Sequence, residues 1–124
     1  MITLATKHYT RVEGALTEED AVRVRRFAAD KICLEVGANK GKETIAIAQV
    51  AKEVIVLVTE DNCEDVKENV KGFSNVSFQM GTDFEHVKNK YFDYIFVTKY
   101  MADGDRIRLR EKLAENGVIE FGGL

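Results

Sequence analysis

The strongest constraint on the fold is the stretch Leu34-Glu35-Val36-Gly37-Ala38-Asn39-Lys40-Gly41-Lys42-Glu43-Thr44. An apolar run ends in an acid, two glycines stand four apart, and an Ile/Ala-rich segment follows. A strand that turns sharply into a helix leaves backbone N–H groups unpaired, and glycine lets another molecule approach them closely. The stretch therefore predicts a nucleotide-sized binding turn at the carboxyl end of a parallel strand.

The segments on either side repeat the pattern. Thr17 caps a predicted helix over 17–29, with Glu18, Glu19 and Asp20 in its first turn, where the helix dipole favours acids. A short strand, 31–36, enters the glycine turn. The helix over 41–51 is apolar on nearly all sides and must be buried against a sheet. Val54-Ile55-Val56-Leu57-Val58 is unbroken, as in a strand covered on both faces. Asp61 and Glu64 form a candidate capping box for a helix that Gly72 ends. Residues 75–80 alternate, as in a half-exposed strand near a sheet edge, and Thr82-Asp83-Phe84-Glu85 is a second candidate capping box. Phe92 to Val97 is a central strand, Asp103 or Asp105 caps a helix running to Leu113, and Gly117 to Phe121 is the last strand.

Strands alternating with helices imply right-handed crossovers and a parallel sheet with helices on both faces. At 124 residues this is one domain, with residues 1–15 a separate segment expected to act as a lid or to cover a sheet edge. A net charge of −3 gives no indication of a nucleic-acid surface. No apolar run is long enough for a membrane span, and the start lacks a signal-peptide pattern. Cys33 and Cys63 lack motif spacing and read as reduced, packed thiols of a cytoplasmic protein. His8 and His86 are far apart and read as surface residues, and no metal site is expected.

In this order and spacing, the chain resembles the class I S-adenosylmethionine-dependent methyltransferases. Glu35-x-Gly37-x-Asn39-x-Gly41 is similar to their acidic-x-Gly-x-Gly-x-Gly signature. Later landmarks fall at matching intervals: Glu68-Asn69, Ser74-Asn75-Val76, Gly81-Thr82-Asp83, Phe92-Asp93 and Asn116-Gly117-Val118-Ile119. The resemblance covers roughly residues 16–124. It implies a three-layer α/β/α Rossmann-like sandwich with a mainly parallel five-stranded sheet in the order 3-2-1-4-5, lacking the usual strands 6 and 7.

The resemblance also implies S-adenosylmethionine or S-adenosylhomocysteine as ligand. Glu35 would reach its amino or carboxylate end, Gly37 and Gly41 would pass beneath the methionine and ribose, and Asp83 would accept from the adenine amino group. Asn39 either bonds the ligand carboxylate or stabilises the turn. Thr98 stands at the end of the fourth strand, where many relatives carry an acid.

Three departures bear on catalysis. The acid that accepts from the ribose hydroxyls is replaced by Leu57 or Val58, leaving Glu60 or Asp61 of the following turn as its substitute, with Glu60 taken as the site residue. The fourth strand runs out through Val97-Thr98-Lys99-Tyr100 without a carboxylate, which disfavours a divalent metal. The last strand is left as an open edge, for which a homodimer through the fifth-strand side is the expected remedy.

A nicotinamide dinucleotide fold would need glycines where Asn39 and Lys42 stand, and Gly41-Lys42-Glu43 lacks the Ser/Thr of a Walker loop. The expectation is a methyltransferase-like protein with an unknown methyl acceptor. Its alternative is a catalytically inactive binding or assembly module of the same fold.

Overall fold

The computed structural model describes residues 17–38, 41–81, 87–98 and 101–121. Residues 1–15, Asn39, the proposed capping box at Thr82–Glu85 with Asp83, both histidines and Lys99 lie outside the described residues.

The elements run α1 (Glu18–Ala28), β1 (Ile32–Val36), α2 (Lys42–Ala48), β2 (Glu53–Val58), α3 (Cys63–Val70), β3 (Val76–Met80), β4 (Phe92–Val97), α4 (Asp103–Arg110) and β5 (Leu113–Phe121). The strands form one five-stranded sheet in the order β3-β2-β1-β4-β5, and every neighbouring pair is parallel. This is the expected Rossmann-like arrangement. β1 lies at its centre, and the chain leaves it towards β2 and β3 before returning to β4 on its other side.

Alternation along the strands sorts the core into two layers. Cys33, Val56, Val58 and Phe96 face α1, α2 and α3, whereas Leu34, Val36, Ile95 and Val97 face Leu109 of α4. Helix α2 presents Thr44 to Ala48 to its surroundings without one exposed residue, as its all-round apolar composition predicts. Its C-terminal carbonyls are not left orphaned. Asn75 Nδ2 donates to Ala48 O at 2.9 Å and to Ala51 O at 3.0 Å, tying the entry of β3 to the end of α2.

Local signals fared differently. Thr17 Oγ1 accepts from the Asp20 N–H at 3.1 Å, so the expected cap of α1 is present. The capping box at Asp61 and Glu64 does not form. Asn62 is the N-cap of α3, and its Oδ1 accepts instead from the Thr59 N–H at 2.9 Å and the Thr59 hydroxyl at 3.2 Å, closing the turn backwards onto β2. Neither Asp103 nor Asp105 caps α4: the N-cap is Ala102, and no side chain bonds there.

The last strand starts four residues earlier than predicted, at Leu113 rather than Gly117, and α4 ends correspondingly early at Arg110. Backbone bonds from Lys90, Tyr91 and Phe92 to the carbonyls of Glu111 and Lys112 recruit this segment to the start of β4. The register then slips: Phe92 pairs with Leu113, and Tyr94 with Val118. The surplus residues fold out through Asn116, which has a φ of 66°. On the α1 side, Tyr94 stacks on Phe27 with ring centroids 5.9 Å apart, and its hydroxyl donates to Glu120 at 2.7 Å. Arg23 Nε donates to the other Glu120 oxygen at 2.9 Å, so α1, β4 and β5 share one polar clasp.

Candidate functional site

Strand order reverses between β1 and β4, and in open parallel sheets the crevice at such a point, outside the strands' carboxyl ends, is where ligands settle. The glycine turn lies there. Gly37 has a φ of 91° and Gly41 a φ of 102°, conformations that side chains with a Cβ adopt at a cost. Between them Ala38 is buried, and its carbonyl accepts from the Gly41 N–H at 2.9 Å. Gly41 is the N-cap of α2. A Cβ there would point at Val66, Asn69 and Val70 of α3, each 3.6 Å away, so this glycine also sets how closely α2 approaches α3.

The turn is held from two sides. At the end of β4, the Thr98 N–H donates to Val36 O at 3.0 Å, and the Thr98 hydroxyl donates to Gly37 O. Thr98 thus fixes the first residue of the turn to the strand across the crevice. Glu35 supports it from beneath. Its side chain points to the α2 side, is fully buried, and accepts from the Thr44 hydroxyl at 2.5 Å through Oε1.

The second carboxylate oxygen, Oε2, is buried without a hydrogen-bond partner among the described residues. Burial, and then the charge of Glu43 on the same helix, push the Glu35 carboxyl up to about 8, against the opposing pull of the Thr44 bond. Glu35 is therefore protonated for the most part at neutral pH.

The remaining expected residues are less convergent. Leu57 and Val58, the positions at which the resemblance implies a ribose-binding acid, are buried on opposite faces of the sheet. Glu60 is exposed in the turn after β2. That turn is organised by Asn62, so Glu60 is not consumed by helix capping. Asn39 and Asp83 lie outside the described residues. Among the described residues no cluster of His, Cys, Asp and Glu could hold a metal ion. Both cysteines are free and buried, and no described helix is long and apolar enough to cross a membrane.

Thr44 and Glu43 were not anticipated at the site. By position both look like ordinary first-turn residues of a helix. The available signal was the all-round apolar character of α2, which buries whatever polar side chains that helix carries.

Neither a protein-family model nor a curated protein sequence matches the chain. Solved structures do. The YcgJ protein from Bacillus subtilis superposes with a TM-score of 0.73 at 21% identity, covering 85% of this chain and 50% of its own. An S-adenosylmethionine-dependent methyltransferase from Thiobacillus denitrificans, in complex with S-adenosyl-L-homocysteine, gives 0.70 at 17% identity, covering 97% and 54%. Phosphoethanolamine N-methyltransferase 1 from Haemonchus contortus, with phosphoethanolamine and S-adenosylhomocysteine, gives 0.67 at 21%, covering 96% and 30%. The chain has the class I methyltransferase-like fold. It spans about half the length of these structures or less.

Proposed function

We propose that the chain is a methyltransferase-like protein that binds S-adenosylmethionine or S-adenosylhomocysteine at the Gly37–Gly41 turn. The observation that carries this reading is the turn itself: two left-handed glycines at the switch point of a methyltransferase-like sheet, above a buried acid with an unpartnered oxygen. The residues present fit the amino-acid end of such a ligand. Its ammonium group would favour the ionised form of Glu35, directly or through water, and Asn39 would reach its carboxylate or brace the turn. At the nucleoside end, Glu60 would accept from the ribose hydroxyls in place of a strand acid, and Asp83 would accept from the adenine amino group. Thr98 would hold the turn in its binding geometry through Gly37.

The bound sulfonium would supply an activated methyl group, and the chain's own contribution to transfer would be proximity and orientation of the acceptor. The acceptor is not named by any residue described above. A second reading, an inactive binding or assembly module, is favoured by the apolar Leu57 and Val58. A carboxylate–hydroxyl bond is worth about 1.5–3 kcal/mol, so affinity without one falls by roughly tenfold or more.

Titration calorimetry with both ligands tests the proposal. Binding that weakens severalfold in Glu60→Gln and changes its pH dependence in Glu35→Gln supports it. No heat at millimolar ligand with folded protein removes the binding claim. Binding indifferent to both substitutions removes the site.

A further inference from the structure

Helix α4 is an anomaly in a sheet protein, because Leu109 is its one buried residue. Ile107 is 63% exposed, the most exposed large apolar side chain among the described residues. Positions three and four apart share a helical face, so Asp103, Gly104, Ile107 and Arg110 lie towards one side. Leu109 marks the opposite one.

Gly104 sits on that outward side within the helix. As the second residue of the helix it costs less than the ~1 kcal/mol of an interior glycine relative to alanine, but still disfavours the helix. Nothing within the chain requires it, since its φ is not positive and a Cβ would meet no atom within 4 Å. An open helical glycine beside an exposed isoleucine fits a surface on which another backbone lies close.

The charges of the helix indicate what that backbone belongs to. The first turn carries Asp103 and Asp105, Arg106 stands next to the midpoint, and the last turn carries Arg108 and Arg110. Among the described residues Arg108 pairs loosely with Asp105, at 3.8 Å, while Asp103 and Arg110 have no ion-pair partner. An acidic start and a basic end make the helix complementary to itself when turned round. With a two-fold axis between Arg106 and Ile107, Asp103 of one copy lies opposite Arg110 of the other, and the Ile107 side chains meet near the axis.

We propose that the outward face of α4 is the contact between two copies of this chain, packed antiparallel about a two-fold axis that passes between Arg106 and Ile107. Such an isologous contact needs only one self-complementary patch. Phe121, 39% exposed at the end of β5, lies beside the helix, with the Arg106 guanidinium 4.7 Å over its ring. The dimer thus forms beside the fifth strand through its neighbouring helix, without strand-to-strand pairing. A patch this small belongs to the weak interfaces, well below the ~1,200–2,000 Å² of stable complexes. This inference is independent of the ligand proposal.

Sedimentation equilibrium of the full chain, from about 10 µM to 1 mM to match a weak interface, reads the association directly. The expected result is a mass rising towards the dimer. Ile107→Asp, which leaves the exposed helix folded by circular dichroism, weakens association by at least about tenfold, the loss of a central contact of ~1.4 kcal/mol. Asp103→Arg weakens it, and the double reversal with Arg110→Asp restores it. Gly104→Ala separates the proposal from a purely local role: it raises the melting temperature of dilute protein while weakening association. A monomer across the range overturns the proposal. So does a dimer indifferent to Ile107→Asp and to charge reversal, or a Gly104→Ala variant that gains stability with association unchanged.

Discussion

Thr44 and Glu35, nine residues apart, meet through a 2.5 Å hydrogen bond that joins the first turn of α2 to the last residues of β1. The bond spans the glycine turn from below. It links the shape of the turn to the protonation state of one carboxyl group.

That carboxyl group predicts how stability depends on pH. Its folded value, about 8, lies above its ordinary value of 4.5. Between these two the folded protein holds the proton more tightly than the unfolded chain. The contribution is fully present below the unfolded value, declines as pH rises, and is gone above about 8. From pH 6 to 9 this one group should remove about 3 kcal/mol of stability. Urea melts across that range should show the decline in the native protein and a clearly flatter profile in Glu35→Gln. Parallel profiles would mean that Glu35 ionises freely in the fold.

Replacing Thr44 with valine keeps the shape and removes the donor. Glu35 then has neither oxygen satisfied, and stability at pH 7 should fall by about 1–3 kcal/mol. Because the Thr44 bond opposes the upward shift, the Glu35 titration should also move further up, readable by carboxyl NMR. An unchanged titration would assign the loss of stability to packing alone.

What could be read from the sequence divides along the same physical line. β4 was predicted to the residue, and β2 within one, because an unbroken apolar run bounded by polar residues is a local property. The parallel sheet followed from the alternation of strands with helices, whereas its order, β3-β2-β1-β4-β5, was legible only through the resemblance to the methyltransferases. The start of β5 was not legible. It depends on carbonyls of Glu111 and Lys112 accepting from the far side of a loop, which no local pattern encodes. The capping box at Asp61 was lost to its neighbour Asn62, whose side chain turns back to Thr59, and the cap expected at Asp103 or Asp105 falls on the extended Ala102, whose methyl side chain cannot bond. At the site, Glu35 and the glycines were visible as a pattern. Thr44 and Glu43 became partners of that pattern only once α2 was folded down onto β1.

Lys112 is nearly buried between α4 and β5, and it is satisfied by neutral groups. Its ammonium donates to Val87 O at 3.0 Å and to Asn89 Oδ1 at 2.7 Å. Methionine would fill the space of its stem and leave both acceptors bare. Lys112→Met should destabilise by about 1–3 kcal/mol. Hydrogen exchange should locate the loss around residues 87–92, where the lysine anchors the chain entering β4. Uniform loss of protection across the sheet would deny it that local role.

Gly117 offers the sharpest contrast among the glycines, because its requirement is spatial. Its φ is not positive, yet a Cβ there would come within 2.8 Å of Leu113 Cδ2, 2.9 Å of Phe92 O and 3.0 Å of Ala114 O. The leucine methyl can move aside. The two carbonyl oxygens are backbone atoms, one on paired Phe92 and one inside the register slip between β5 and β4, and they cannot move without disturbing it. Gly117→Ala should therefore cost about 1–3 kcal/mol, the range for overpacking a fitted site. Gly72, which has no atom within 4 Å of its would-be Cβ, serves as the control. Its alanine variant should be neutral or slightly stabilising through lower entropy of the unfolded chain. Chemical denaturation of the two variants side by side decides the matter. Equal midpoints would show that the slip in β5 is soft enough to absorb a methyl group.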